Sequence, residues 1–188
     1  MQPVSHALAC VALISPLLAG IPAAAQQYRP ESQIRQQEQA FRRLVIEDAQ
    51  GARLNLNDYR GRVLIVDYWA HWCVACLAEM RDLEKMANDL AGQVEIVLLS
   101  RPKDWQQDQQ FAKVNGLPFH LYVYRNTDQQ TLVTALRATP VGPTNFEDSL
   151  PMAAIFSAGG KLAGAPQGRQ PWSSINMESV LRNMASGR

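Results

Sequence analysis

Residues Val63-Leu64-Ile65-Val66-Asp67-Tyr68-Trp69-Ala70-His71-Trp72-Cys73-Val74-Ala75-Cys76 run from an apolar segment straight into a pair of cysteines. The part up to Tyr68, interrupted only by Asp67, has the pattern of a central strand covered on both faces. Beyond it, Leu77, Met80, Leu83, Met86, Ala87 and Leu90 recur at helical spacing, which predicts a helix that begins at about Cys73 and is ended by Gly92. A helix leaves its first amide N–H groups unpaired and carries about half a positive charge at that end, so it stabilises a thiolate over a thiol. A cysteine placed there can have its pKa lowered from about 8.5 to about 3.5–7.5. Cys73 is then the expected attacking thiol, and Cys76, one turn further in, can resolve the mixed disulfide that the attack forms.

Other readings of the pair stay open. Half of a zinc site would need further ligands, and the chain otherwise offers only Cys10, His6, His71 and His120. A structural disulfide over so short a loop adds little chain-entropy stabilisation, and an inert pair has no need of a helix terminus. The chain has 188 residues, enough for one domain with its own core. Its 18 Lys plus Arg face 17 Asp plus Glu, with no basic stripe to hold nucleic acid and no acidic run to act as a solvating tail. Nucleic acid is not an expected partner.

Residues 1–25 contain no Asp, Glu, Lys or Arg, are apolar from Ala7 to about Ile21, and end in Ala23-Ala24-Ala25. They read as an export signal cut after Ala25, although the usual basic start is missing. The competing reading is an uncleaved anchor in the inner membrane, which Pro16, Gly20 and Pro22 would interrupt. Ala7-Leu8-Ala9 makes a poor lipoprotein box before Cys10. With the signal removed, only Cys73 and Cys76 remain, in a compartment where disulfides persist. The expected location is the periplasm.

Residues 26–39, rich in Gln, Arg and Glu, read as a polar linker or frayed helix, and the folded domain is expected over 40–188. An N-terminal hairpin is expected from Phe41 to Glu47, with a turn at Ala49-Gln50-Gly51 and a return through Leu54 and Leu56. Further strands are expected at 94–99 and 119–124, helices at 103–115 and 129–138, a hairpin about Ala158-Gly159-Gly160, and a last helix from Ser173 to Met184. Alternating strands and helices imply an α/β fold with a largely parallel sheet and an antiparallel hairpin at the end.

Several motifs in this order resemble the thioredoxin-fold family, and within it the exported thiol-disulfide proteins of the TlpA, ResA and cytochrome c maturation type. They are Tyr59-Arg60-Gly61-Arg62-Val63 before the central strand, Asp67 to Cys73 at its end, and Leu150-Pro151 followed by a strand and Gly159-Gly160. The resemblance covers about Phe41 to Ala185. It implies a thioredoxin-like fold with a central mixed sheet flanked by helices. It also implies that Cys73 and Cys76 form a redox-active disulfide, needing no other cofactor and no metal.

By the same resemblance Asp67, six residues before Cys73, would be a buried carboxyl that shuttles the proton of Cys76. The alternative is a solvated or hydrogen-bonded strand-end Asp. Glu79 matches an acidic position of the ResA-like branch, and is otherwise a surface helix carboxylate. Pro151 would be the cis-proline facing the dithiol, with Leu150 offering backbone groups to an extended substrate. Trp72 and Trp69 would shield the site or fill core. The pair Val74-Ala75 lacks the proline common between such cysteines, and a tenfold change in the dithiol equilibrium is only about 30 mV, so the direction of electron flow is not readable. His71 would favour a thiolate if protonated, or is merely solvated. The segment 124–149 is either a partner-recognition insertion or a variable loop.

The function implied is exchange with protein thiols or disulfides in the periplasm, leaning to the reductive direction, with a membrane thiol donor and with cytochrome c or copper-site cysteines as substrates. A peroxidase would want Thr or Ser three residues before Cys73, where Ala70 stands. The alternative from another class is a metal or haem chaperone that uses the two thiols as ligands, although no Met-rich or His-rich patch accompanies them.

Overall fold

The computed structural model describes residues 31–125 and 150–187, with Thr131, Thr134 and Ala135 between them. The expected export signal, the first residues of the expected linker and most of the segment 124–149 lie outside the described residues. The described chain forms α1 (Glu31–Arg43), β1 (Val45–Glu47), β2 (Val63–Tyr68), α2 (Val74–Asp89), β3 (Val94–Ser100), α3 (Trp105–Asn115), β4 (His120–Arg125), β5 (Met152–Phe156), β6 (Leu162–Gly164) and α4 (Ile175–Ala185). Thr131, Thr134 and Ala135 are helical as well.

The six strands make one mixed sheet in the order β1-β4-β3-β2-β5-β6. β2 pairs parallel with β3 and β3 with β4, while β5 runs antiparallel beside β2 and turns back into β6. Every residue of β2 is buried, as its near-continuous apolar run requires of a strand covered on both faces. Alternation along β2 assigns its side chains. Val63 and Ile65 join the core under α2 and α4, with Met80, Leu83, Met86, Trp172 and Leu181. Leu64, Val66 and Tyr68 join the opposite core with Phe41, Val97, Leu99 and Phe156. Asp67 shares the parity of Val63 and Ile65, and so belongs to the face that α2 covers.

Two helix ends carry residues suited to capping. Gly116 closes α3 at φ 62°, the left-handed region where a side chain would be strained. Ser174 caps α4 by accepting the Met177 N–H.

The N-terminal region departs from expectation. Residues 31–39 are not a tether, because they form most of α1, and Gln37, Ala40 and Phe41 are buried. Phe41 is helical rather than extended, and its ring packs 4.9 Å from that of Phe156. The expected hairpin shrinks to β1, a Glu47–Arg53 bridge and the Leu54 N–H bond to the Ile46 carbonyl. β1 pairs instead with β4. The reason lies in what α1 covers. Glu38 accepts the Leu162 N–H at 3.0 Å, and Arg42 donates to the Gly160 carbonyl at 2.5 Å, so α1 closes the β6 edge that would otherwise stand open. A composition rich in Gln and Arg hides this role, because the buried stripe is only a few residues wide.

Phe41→Ala therefore lowers unfolding stability by about 3–5 kcal/mol in a denaturant titration. Val114→Ala, at a 70% exposed helix position, changes it by less than about 0.5 kcal/mol. Equal effects would return α1 to the role of a tether.

Candidate active site

The chain leaves β2 at Tyr68 and enters α2 at Val74, and the dithiol stands at that junction. The Cys73 N–H donates to the Ala70 carbonyl at 3.0 Å, which closes a turn with His71 and Trp72 at its corner. Cys73 is the N-cap of α2, and its sulfur accepts the Cys76 N–H at 3.1 Å. A thiolate at this atom meets an amide hydrogen bond and the positive helix end together. Cys73 and Cys76 are joined as a disulfide with Cα atoms 5.2 Å apart. Cys73 keeps 6% of its exposure and Cys76 none, so an incoming sulfur meets Cys73 first. Exposed Trp72 and Val74, at 45% and 80%, flank it.

Two carboxyls lie under the disulfide side of the sheet. Asp67 is fully buried, and neither of its oxygens has a hydrogen-bond partner among the described residues. Burial, and then the negative charge of Glu79, push its pKa well above the usual carboxylate range. Asp67 is not the solvated strand-end residue that the sequence left as an alternative.

Glu79 is also buried, on the same α2 stripe as Cys76, Met80, Leu83 and Met86, rather than on the helix surface. Its Oε2 accepts the Gln170 N–H at 3.0 Å. Burial raises its pKa, while the Gln170 amide, the Trp172 indole and the Arg169 guanidinium pull the other way. Both carboxyls are thus biased toward the protonated form on the side of the sheet that α2 and its Cys76 cover, which is the state that protonating a buried sulfur requires.

Leu150 and Pro151 come to the same end of the sheet. Met152 pairs with Tyr68, so the residues just before it stand level with the turn that carries the cysteines. The Leu150–Pro151 peptide is cis, and Pro151 is buried while Leu150 is half-buried. Trp69 fills core, with its ring 6.1 Å from Phe111, whereas Trp72 faces solvent.

Two residues at the site carry no local sequence signal. Arg101, just past β3 and buried, places its guanidinium 4.7 Å from the centre of the Trp72 ring and pairs with Asp104. Asp108 of α3, also buried, binds His71 through both the backbone N–H and the ring. His71 is therefore held rather than simply solvated. The partners lie about thirty residues apart or more, and only the parallel pairing of β2 with β3 brings them together.

Comparison with known proteins places this geometry. The thiol-disulfide oxidoreductase ResA of Bacillus subtilis (strain 168) is 30% identical over 103 residues, 54% of this chain and 55% of the relative. The thioredoxin-like protein YneN of the same organism is 29% identical over 76 residues, 39% of this chain and 45% of the relative. The chain spans about half the length of the curated relatives it matches. A secreted thiol-disulfide isomerase from Corynebacterium glutamicum has a solved structure that superposes with a TM-score of 0.58 at 18% identity, over 76% of this chain and 84% of that one. That likeness bears on the fold, which is thioredoxin-like, as the motifs imply. The AhpC/TSA family model matches residues 37–155, and the chain belongs to that family.

Proposed function

We propose that this chain is an exported thiol-disulfide oxidoreductase that exchanges disulfides with protein thiols through Cys73 and Cys76. The observation that carries the reading is a disulfide at the start of α2 whose outer cysteine alone keeps exposure, with an unpartnered buried carboxyl beneath it. In the oxidised form seen here, a substrate thiolate attacks Cys73 Sγ and the bond to Cys76 breaks. Cys76 leaves as a thiolate and takes the proton that Asp67 holds. A second substrate thiolate then displaces Cys73. Two electrons have passed to the pair, and the substrate is a disulfide.

The reverse sequence reduces a substrate disulfide, and a membrane thiol donor would then restore the dithiol. The reductive direction, with cytochrome c or copper-site cysteines as substrates, is supported by the motif resemblance. The similarity to the thiol-disulfide oxidoreductase ResA supports the chemistry. The charge-free apolar leader over 1–25 supports export to the periplasm. No cofactor beyond the sulfur pair is required for this chemistry. Ala70, in place of a hydroxyl residue three positions before Cys73, speaks against peroxide as the substrate.

Cys76→Ser accumulates mixed disulfides through Cys73, seen as acid-trapped adducts on non-reducing gels, while Cys73→Ser traps at least about tenfold fewer. Equal trapping by the two variants would undo the assignment of roles. Equilibration of the wild type with glutathione buffers gives a reversible two-electron transition between about −100 and −300 mV. Tight retention of Cu(I) with slow exchange would point to a metal chaperone instead.

Asp67→Asn slows exchange by about a hundredfold. Its effect on stability has a definite sign. Below the ordinary carboxylate range both folded and unfolded chains hold the Asp67 proton. As pH rises through that range the unfolded chain releases it while the buried carboxyl keeps it, so the wild type loses up to about 1.4 kcal/mol per pH unit until the folded carboxyl ionises. Stability of the variant relative to the wild type therefore improves as pH rises above the ordinary carboxylate range, and goes on improving until the folded carboxyl ionises. A flat difference in denaturant titrations would show that Asp67 ionises normally.

A further inference from the structure

The turn that presents Cys73 is held from α3 by a single carboxylate. Asp108 Oδ1 accepts the His71 backbone N–H at 2.8 Å and lies 2.7 Å from His71 Nδ1. Asp108 is fully buried, and its Oδ2 has no hydrogen-bond partner among the described residues. A carboxylate only accepts hydrogen bonds, so the ring must carry a proton on Nδ1 and turn Nε2 away from Asp108. The His71 side chain remains 29% exposed. It lines an open groove together with Gln106, Gln107, Gln110, Phe111 and Val114 of α3. Nε2 is thus the ring atom left for a molecule in that groove, and Cys73 lies two residues further along the same turn.

We infer that His71 takes the proton from a thiol of the substrate polypeptide as that thiol attacks the Cys73–Cys76 disulfide, and that Asp108 is its positioning residue. The inference rests on the exchange chemistry proposed above and adds the base which that chemistry needs for a protonated substrate. Neutral Nε2 accepts the S–H proton, and the substrate sulfur bonds to Cys73 Sγ. The bond between the two cysteines breaks, and Cys76 is protonated by Asp67. The second substrate thiol displaces Cys73, whose thiolate receives the proton held by the imidazolium. The proton of that second thiol, passed through solvent, replaces the one Asp67 gave. Run backwards, the imidazolium protonates the departing substrate thiolate.

The other charged groups around the turn are Arg101 and Asp104 from the β3–α3 connection, Asp67 from β2 and Glu79 from α2. Along α3, Asp108 is the one charged residue between Trp105 and Ala112. Substitution at His71 leaves all of these in place.

The test is the rate at which glutathione reduces the disulfide of the full chain, followed by stopped-flow and thiol trapping from about pH 6 to about pH 9. Without a base, the rate follows the thiolate fraction of glutathione and falls about tenfold per pH unit. His71→Gln shows that steep fall, whereas the wild type falls less. The wild type is faster by at least about tenfold near pH 6, and the two converge near pH 9, where the attacking thiol ionises unaided. Asp108→Asn keeps the hydrogen-bond acceptor but loses the charge, and gives a smaller loss with the same convergence. Superimposable profiles for wild type and His71→Gln would overturn the inference, as would a loss by the same factor at both ends of the range, the mark of a displaced turn. A wild-type disulfide that glutathione fails to reduce at any pH is a different result, and it defeats the proposed function itself.

Discussion

The 3.0 Å hydrogen bond from the Cys73 N–H to the Ala70 carbonyl is the hinge on which the site depends. It turns the chain from a fully buried strand into the first turn of a helix within a few residues, leaving Cys73 as the cap. The helix end then supplies unpaired amides and positive potential at one sulfur, and the Cys76 N–H already points at it. Moving either element by one residue would break the arrangement. A slip of β2 would take Asp67 to the opposite face, because side chains alternate along a strand. A later helix start would leave Cys73 in a loop without the amide field.

Burial at the site is uneven in a way that separates roles. Cys73 keeps a narrow exposure beside Trp72 and Val74, while Cys76, Asp67 and Glu79 are shut in beneath it. A buried carboxyl without partners is costly when ionised, so Asp67 favours its protonated form. The cost is met by the surrounding core, where Trp69, Leu83, Met86, Trp172 and Leu181 are all fully buried. Glu79 receives one amide from Gln170 and so has support that Asp67 lacks.

The connection from β3 to α3 acts as a second scaffold for the turn. Arg101 lies over Trp72 and Asp108 grips His71, so the two corner residues of the turn are held by two different contacts. Both contacts involve buried charges, which hold geometry more firmly than surface pairs do, because removing one partner leaves the other unpaired in an apolar setting. The site is therefore assembled from three successive units of the chain: β2 with α2, the start of α3, and the Leu150-Pro151 corner ahead of β5.

How much of this was legible in the chain follows from the range of each interaction. Apolar runs marked β2, β3 and β5, helical spacing marked α2, and the Cys73-Val74-Ala75-Cys76 step at a strand-to-helix junction marked the dithiol, because all are local patterns. Asp67 and Pro151 were legible through motif order. Periodicity could have placed Glu79, since Cys76 and Glu79 are three apart on one helix face, yet a carboxylate on a buried stripe is read as a surface residue unless its cover is known. The α1 helix was obscured by polar composition, its few buried positions making sense only once β6 presents an open edge. The grip of Asp108 on His71 spans 37 residues and has no local trace. The sequence by itself determined the α/β class, the cysteine pair at a strand-to-helix junction and the strand that carries Asp67. The tertiary structure alone decided which polar side chains are sealed from water and which of them meet, because desolvation and contact across the sheet depend on how separate segments pack.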